Sequence, residues 1–162
     1  MSGFYNAAVA PSRTSAVMWK TLTTLNWRAV VGATLVYFVL GGLWYSPMAF
    51  GPLWREVTGP SPLHEQPSVW MFVVPLGGSF AAATATAFLV RLTGVTTLRA
   101  GVQLGVLVAC AFVVPAVATD AAAPNHPQPL VYSAIVGAYH LVGLVLVALI
   151  VTRFRGPRGA SV

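Results

Sequence analysis

From Leu130 to Val151 the chain reads LVYSAIVGAYHLVGLVLVALIV, an uncharged apolar run closed by Arg153 and Arg155 and carrying one histidine, His140, at its centre. A helix rises about 1.5 Å per residue and the hydrocarbon core is about 30 Å thick, so this run is long enough to cross a bilayer. Three further stretches share its character. The first spans about Trp27 to Tyr45, the second about Ser68 to Val90, and the third about Arg99 to Thr119. The expected fold is therefore all-α, a bundle of four transmembrane helices. It occupies residues 26–155, with a tail at residues 1–25 that is disordered or lies on the membrane surface and a short tail at residues 156–162.

Composition points the same way. The chain has 162 residues, of which 57% are hydrophobic and only 7% charged, with a mean hydropathy of +0.77. Soluble domains are roughly a quarter charged. A cleaved signal peptide is the competing reading of the first stretch, but its apolar run is too long, and bulky Leu43, Trp44 and Tyr45 follow instead of small residues. Met1 and Met18 are alternative starts, since all the insertion signals follow the second.

Charge orients the helices. Arg13, Lys20 and Arg28 precede the first span, Arg91 and Arg99 connect the second and third, and Arg153, Arg155 and Arg158 follow the fourth. These eight of nine basic residues share one side, and the acids Glu56, Glu65 and Asp120 lie on the other. Lys and Arg in short loops stay cytoplasmic, so both termini are expected in the cytoplasm. The net charge of +6 fits this placement beside anionic headgroups, and no nucleic-acid partner is expected. The single cysteine, Cys110, excludes an intrachain disulfide.

Polar groups inside lipid are informative because they are costly when unsatisfied. His140 falls at the bilayer midplane, where an imidazole is expected to be neutral. Counting to the middle of the other spans lands near Tyr37, Ser79 and Cys110, so one polar or polarizable group per helix falls at a single depth. The favoured reading is glue, with Tyr37 bonded to His140. The alternative is a ligand or proton site centred on His140 with Tyr37 as donor. Gln103 lies at the depth of Thr84 and Thr86 on the antiparallel second span, and an interhelical hydrogen bond is expected there. Small residues at four-residue spacing, Gly101 and Gly105 on the third span and Gly77, Ala81 and Ala85 on the second, favour close packing within the chain or against another subunit. Pro75 and Pro115 each remove a backbone donor, so the outer halves of their helices should be less regular.

The exit from the first span is aromatic: Trp44, Tyr45, Ser46 and Pro47, then Phe50, Gly51 and Trp54. Tryptophan and tyrosine sit well at headgroup level, and Pro47, Gly51 and Pro52 stop the helix. Asn26-Trp27, Gly41 to Pro47 (Gly-x-Leu-Trp-Tyr-Ser-Pro) and Phe50 to Trp54 (Phe-Gly-x-x-Trp), with Gly137-Ala138-Tyr139-His140-Leu141-Val142 near the end, resemble a family of small bacterial membrane proteins catalogued as a domain of unknown function with four predicted spans. The resemblance covers roughly Asn26 to Val151. It implies the fold and a bacterial cytoplasmic membrane, and it implies no activity. Relative to that family, residues 1–17 look like an extension, and Pro52 stands where a basic residue is common.

Enzyme motifs are missing: no His-Glu-x-x-His, no Gly-x-Ser-x-Gly, no phosphate loop and no intramembrane carboxylate. His64, Glu65, Asp120 and His126 could converge outside the membrane, although neither a metal nor a cofactor is assigned. Haem commonly wants two axial ligands, and only one intramembrane histidine exists. The expected function is a non-enzymatic structural or accessory subunit, either a homo-oligomer or part of a larger membrane complex. The alternative is a small transporter or channel using the midplane site at His140 and Tyr37. A quinone-linked or lipid-modifying enzyme comes third.

Overall fold

The computed structural model describes residues 13–59, 68–123 and 126–156. Every element among them is helical. A short helix, α1 (Arg13–Thr23), precedes the first span, α2 (Trp27–Trp44), and α3 (Gly51–Thr58) follows it. The second span is α4 (Trp70–Leu92). The third, Leu98–Ala121, is built from α5 (Leu98–Val108), a π-helical turn (Ala109–Val113) and α6 (Val114–Ala121). The fourth span is α7 (Pro129–Arg153). All four are long and apolar enough to cross a membrane, which makes the chain a multi-pass membrane protein.

The helices do not share the core equally. Half of the α7 span is buried within the chain, against 28% for α2 and α4 and 17% for the third span. α7 is the central post: α2 and α4 pack on it and on each other, and α5 and α6 pack on it from another side, scarcely touching α4. In lipid this is a stable arrangement, because exposed apolar faces carry no hydrophobic penalty and association is driven by close packing and interhelical hydrogen bonds.

Glycines set the closest approaches. A Cβ on Gly101 would lie 2.8 Å from the Thr152 hydroxyl oxygen, and one on Gly105 would lie 2.9 Å from the Leu144 carbonyl oxygen, so both let α5 rest directly on the α7 backbone. The Gly-x-x-x-Gly pair thus faces α7 and not the second span. On α4 the inward row is Ser79, Ala83 and Ala87, while Gly77, Ala81 and Ala85 are exposed. The expected packing of these three against Gly101 and Gly105 is therefore absent. α4 carries two rows of small residues at four-residue spacing, and spacing alone does not say which row turns inward. Gln103 is exposed too. Thr86 donates to its own helix at Ala82, 2.8 Å, and the buried Thr84 hydroxyl has no partner, so neither meets Gln103.

Pro115 has no N–H, and the helix before it widens until the Val114 N–H bonds the Ala109 carbonyl, the i to i−5 pattern of a π turn. α4 in contrast continues through Pro75. The expected irregularity appears in the third span only. Residues 13–23 of the N-terminal tail are helical, with Val17, Met18 and Trp19 exposed. Such a helix suits the bilayer surface.

At the arginine-rich end, Asn26 caps α2 by accepting from the Arg28 and Ala29 N–H groups and donates its amide N–H to the Phe154 carbonyl at 2.5 Å. Arg91 donates to the Gly156 carbonyl, 3.0 Å, and Arg155 to the Val95 carbonyl, 2.8 Å. Spans one, two and four are thereby tied together at one end.

Candidate functional site

Tyr37 and His140 meet inside the bundle. The Tyr37 hydroxyl lies 2.5 Å from His140 Nδ1, and with a neutral ring protonated on Nε2 the phenol donates and Nδ1 accepts. Backbone geometry makes the contact possible: a Cβ on Gly143 would lie 2.1 Å from a Tyr37 ring carbon. Glycine there opens a notch in α7 into which the phenol ring fits, and the ring then carries its hydroxyl to the imidazole. Tyr37 is buried, whereas His140 remains partly exposed.

Tyr139 completes the site and was not singled out by depth counting. It is 8% exposed, and its ring centroid lies 4.7 Å from that of His140, 5.3 Å from Tyr37, 5.4 Å from Tyr45 and 6.3 Å from Trp44. Its hydroxyl points to the Tyr37 carbonyl oxygen at 3.5 Å, a weak contact. Gly41 leaves room for it, since a Cβ there would lie 2.9 Å from that hydroxyl oxygen. A signal was present in the sequence: Ile135, Tyr139, Gly143 and Val147 form an i, i+4 row on α7, and this buried row faces α2.

The aromatic exit of the first span is joined to this site. Trp44 packs at a tilt against Phe50, with ring centroids 4.8 Å apart, and donates its Nε1–H to the Ile135 carbonyl at 3.2 Å. Tyr45 packs on Trp54, 5.3 Å. Between them the chain reverses in a tight turn at Ser46 and Pro47, where the Phe50 N–H bonds the Trp44 carbonyl and the Gly51 N–H bonds the Ser46 carbonyl, both at 3.0 Å. A Cβ on Gly51 would fall 2.4 Å from the Tyr45 carbonyl oxygen, so only glycine fits the turn. The two stretches singled out in the sequence, Gly41 to Pro47 and Gly137 to Val142, therefore form one aromatic column. It runs from the exit of α2 to the His140 imidazole. That explains why the exit motif is denser than a surface anchor requires.

Of the four residues counted to one depth, the structure brings together Tyr37 and His140, and it buries Ser79 on α4. Cys110 stays apart, exposed on the π turn, while its neighbour Ala109 takes the buried position. Depth is read by counting, but direction turns about 100° with each residue. At the other end of the third span, His126 stacks on Tyr132 at 3.9 Å and lies 3.6 Å from Asp120, which also accepts from the Tyr132 hydroxyl at 3.1 Å. His64 and Glu65 lie outside the described residues. Among the described residues no three His, Cys, Asp or Glu side chains form a group suited to a metal.

No curated protein and no solved structure matches this chain. A model of a family described as a protein of unknown function matches residues 28–152, which takes in all four spans, the aromatic column and the Tyr37–His140 pair; the chain belongs to that family, DUF1761.

Proposed function

We propose that the chain is a non-enzymatic structural or accessory protein of a bacterial cytoplasmic membrane, working as a homo-oligomer or as a small subunit of a larger membrane complex, with both termini cytoplasmic. One observation carries this reading: polar side chains inside the bundle make hydrogen bonds from one helix to another. The Tyr37 hydroxyl is bonded to His140, the Trp44 Nε1–H to the Ile135 carbonyl, and Tyr139 fills the space between them. Support comes from what is left bare. Gly77, Ala81 and Ala85 line an exposed face of α4, and Gln103 on α5 is exposed as well. Small residues and an amide are the usual means by which one membrane helix receives another.

Gentle solubilisation of tagged protein, followed by size determination and mass spectrometry of what stays attached, tests the proposal. A stoichiometric partner or a defined homo-oligomer is the expected result. His140→Ala should then lower stability or assembly and leave no transport activity to be lost.

A transporter or channel is the second reading, and the partial exposure of His140 favours it, since an imidazole at that depth is rarely left open to the surroundings without use. Purified protein in liposomes, assayed with a broad set of ions and small solutes, separates the two. Flux abolished by His140→Ala with assembly intact would overturn the accessory reading.

A further inference from the structure

A cavity of about 320 Å³ lies at the arginine-rich end, between α1, the start of α2, the end of α4 and the end of α7. Its polar side is formed by Lys20, Arg91 and Arg155, with Thr24 and Asn26 beside them. Its other side is apolar, with Leu25, Ala29, Ala87, Val90 and Val151 leading along the helices toward the hydrocarbon. Among the described residues no carboxylate lines it. A recess with Lys20, Arg91 and Arg155 around it attracts an anion.

We propose that this cavity binds the phosphate of an anionic membrane lipid, with the headgroup held by Lys20, Arg91 and Arg155 and an acyl chain lying along the apolar wall. The chemistry fits the position. Arg91 and Arg155 each donate to a main-chain carbonyl, of Gly156 and Val95, which fixes the two guanidinium groups before any ligand arrives. A guanidinium carries five donors in a rigid fork suited to phosphate oxygens, and Arg155 uses one of them on Val95. Lys20, on the exposed side of α1, adds a point charge from the opposite rim. α1 itself exposes Met18 and Trp19, as a helix resting among headgroups would. A free phosphate or a soluble phosphoester offers the same oxyanion but leaves the apolar wall unfilled. That wall is why the lipid is the better occupant.

The test uses the full chain, delipidated in a neutral detergent and titrated with phosphatidylglycerol, phosphatidylcholine or inorganic phosphate, with bound lipid read by native mass spectrometry and thermal stability followed in parallel. Phosphatidylglycerol should be retained and should raise the melting temperature, and phosphatidylcholine should do neither. Each basic residue near a membrane surface contributes on the order of fivefold to anionic-lipid affinity, so Lys20→Ala should weaken retention about fivefold and Lys20→Ala with Arg155→Ala about twenty-five-fold. Arg99→Ala, outside the cavity, should change little. Because Lys20 is exposed, its single variant keeps the test valid if the double variant folds poorly. Equal retention of the two lipids, or the same loss from Arg99→Ala as from Lys20→Ala, would overturn the site. Stabilisation by inorganic phosphate equal to that by phosphatidylglycerol would overturn the lipid as its occupant.

Discussion

Gly143→Ala is expected to destabilise the protein by about 2–3 kcal/mol, through one side chain on another helix. The new Cβ would stand 2.1, 2.4 and 2.9 Å from three Tyr37 ring atoms. Carbon atoms settle at about 3.5–4.0 Å, so the ring must leave the notch and take its hydroxyl away from His140. Overpacking costs about 1–3 kcal/mol, and an intramembrane hydrogen bond is worth about 0.6–2 kcal/mol. The better helix propensity of alanine returns roughly 0.5–1 kcal/mol. Reversible unfolding in mixed micelles with increasing sodium dodecyl sulfate, followed by tryptophan fluorescence, measures the difference. Gly32→Ala is the matched control, because a Cβ there meets nothing within 4 Å, and it should be neutral or slightly stabilising. In a Tyr37→Ala background the penalty of Gly143→Ala should largely vanish, since the two changes remove the same contact. If Gly143→Ala behaves like Gly32→Ala, or keeps its full penalty without the Tyr37 ring, the notch does not position the phenol and the reasoning fails.

Gly51→Ala should open the turn after α2, because its Cβ would collide with main-chain oxygens of Tyr45 and Ser46 at 2.4 and 2.6 Å, and a loss of about 2 kcal/mol or more is expected in the same unfolding assay. Asn26→Ala removes both the α2 cap and the tie to Phe154, with an expected loss of about 1–2 kcal/mol and faster proteolysis near the C-terminal end of α7. Ala81→Leu, on the bare face of α4, should leave the unfolding energy of the monomer within about 0.5 kcal/mol of wild type while breaking any assembly seen on solubilisation. An assembly that survives this change would place the contact on another face.

The spans were legible because length and apolarity alone decide them, and their observed ends fall within a residue or two of those read from sequence. Depth was legible as well: counting from the ends of two spans placed Tyr37 and His140 at one level, and they are hydrogen-bonded. Direction was not. α4 is apolar nearly all round, so its pattern does not mark an inner face, and the Ser79–Ala83–Ala87 row packs where Gly77–Ala81–Ala85 was expected. Cys110 failed for the same reason, one residue away from the buried Ala109. Tyr139 is uncharged, and counting to the centre of the span stops at its neighbour His140. Its role follows from three-dimensional neighbours, Gly41 and Tyr45 among them, that lie about a hundred residues earlier in the chain.

The central position of α7 sets the order in which the protein can assemble during synthesis. The ribosome delivers α2 and α4 first, and these can pair as soon as both are in the bilayer. The third span follows with its Gly101 and Gly105 surface facing lipid, because the helix that fills that surface is still unmade. Only when α7 enters do the third span, the Tyr37 ring and the Asn26 amide find their partners, on α7 or at its C-cap Phe154. A nascent chain halted before Pro129 therefore holds one helix pair and one solitary helix, and the twenty-five residues of α7 supply the surface on which these come together.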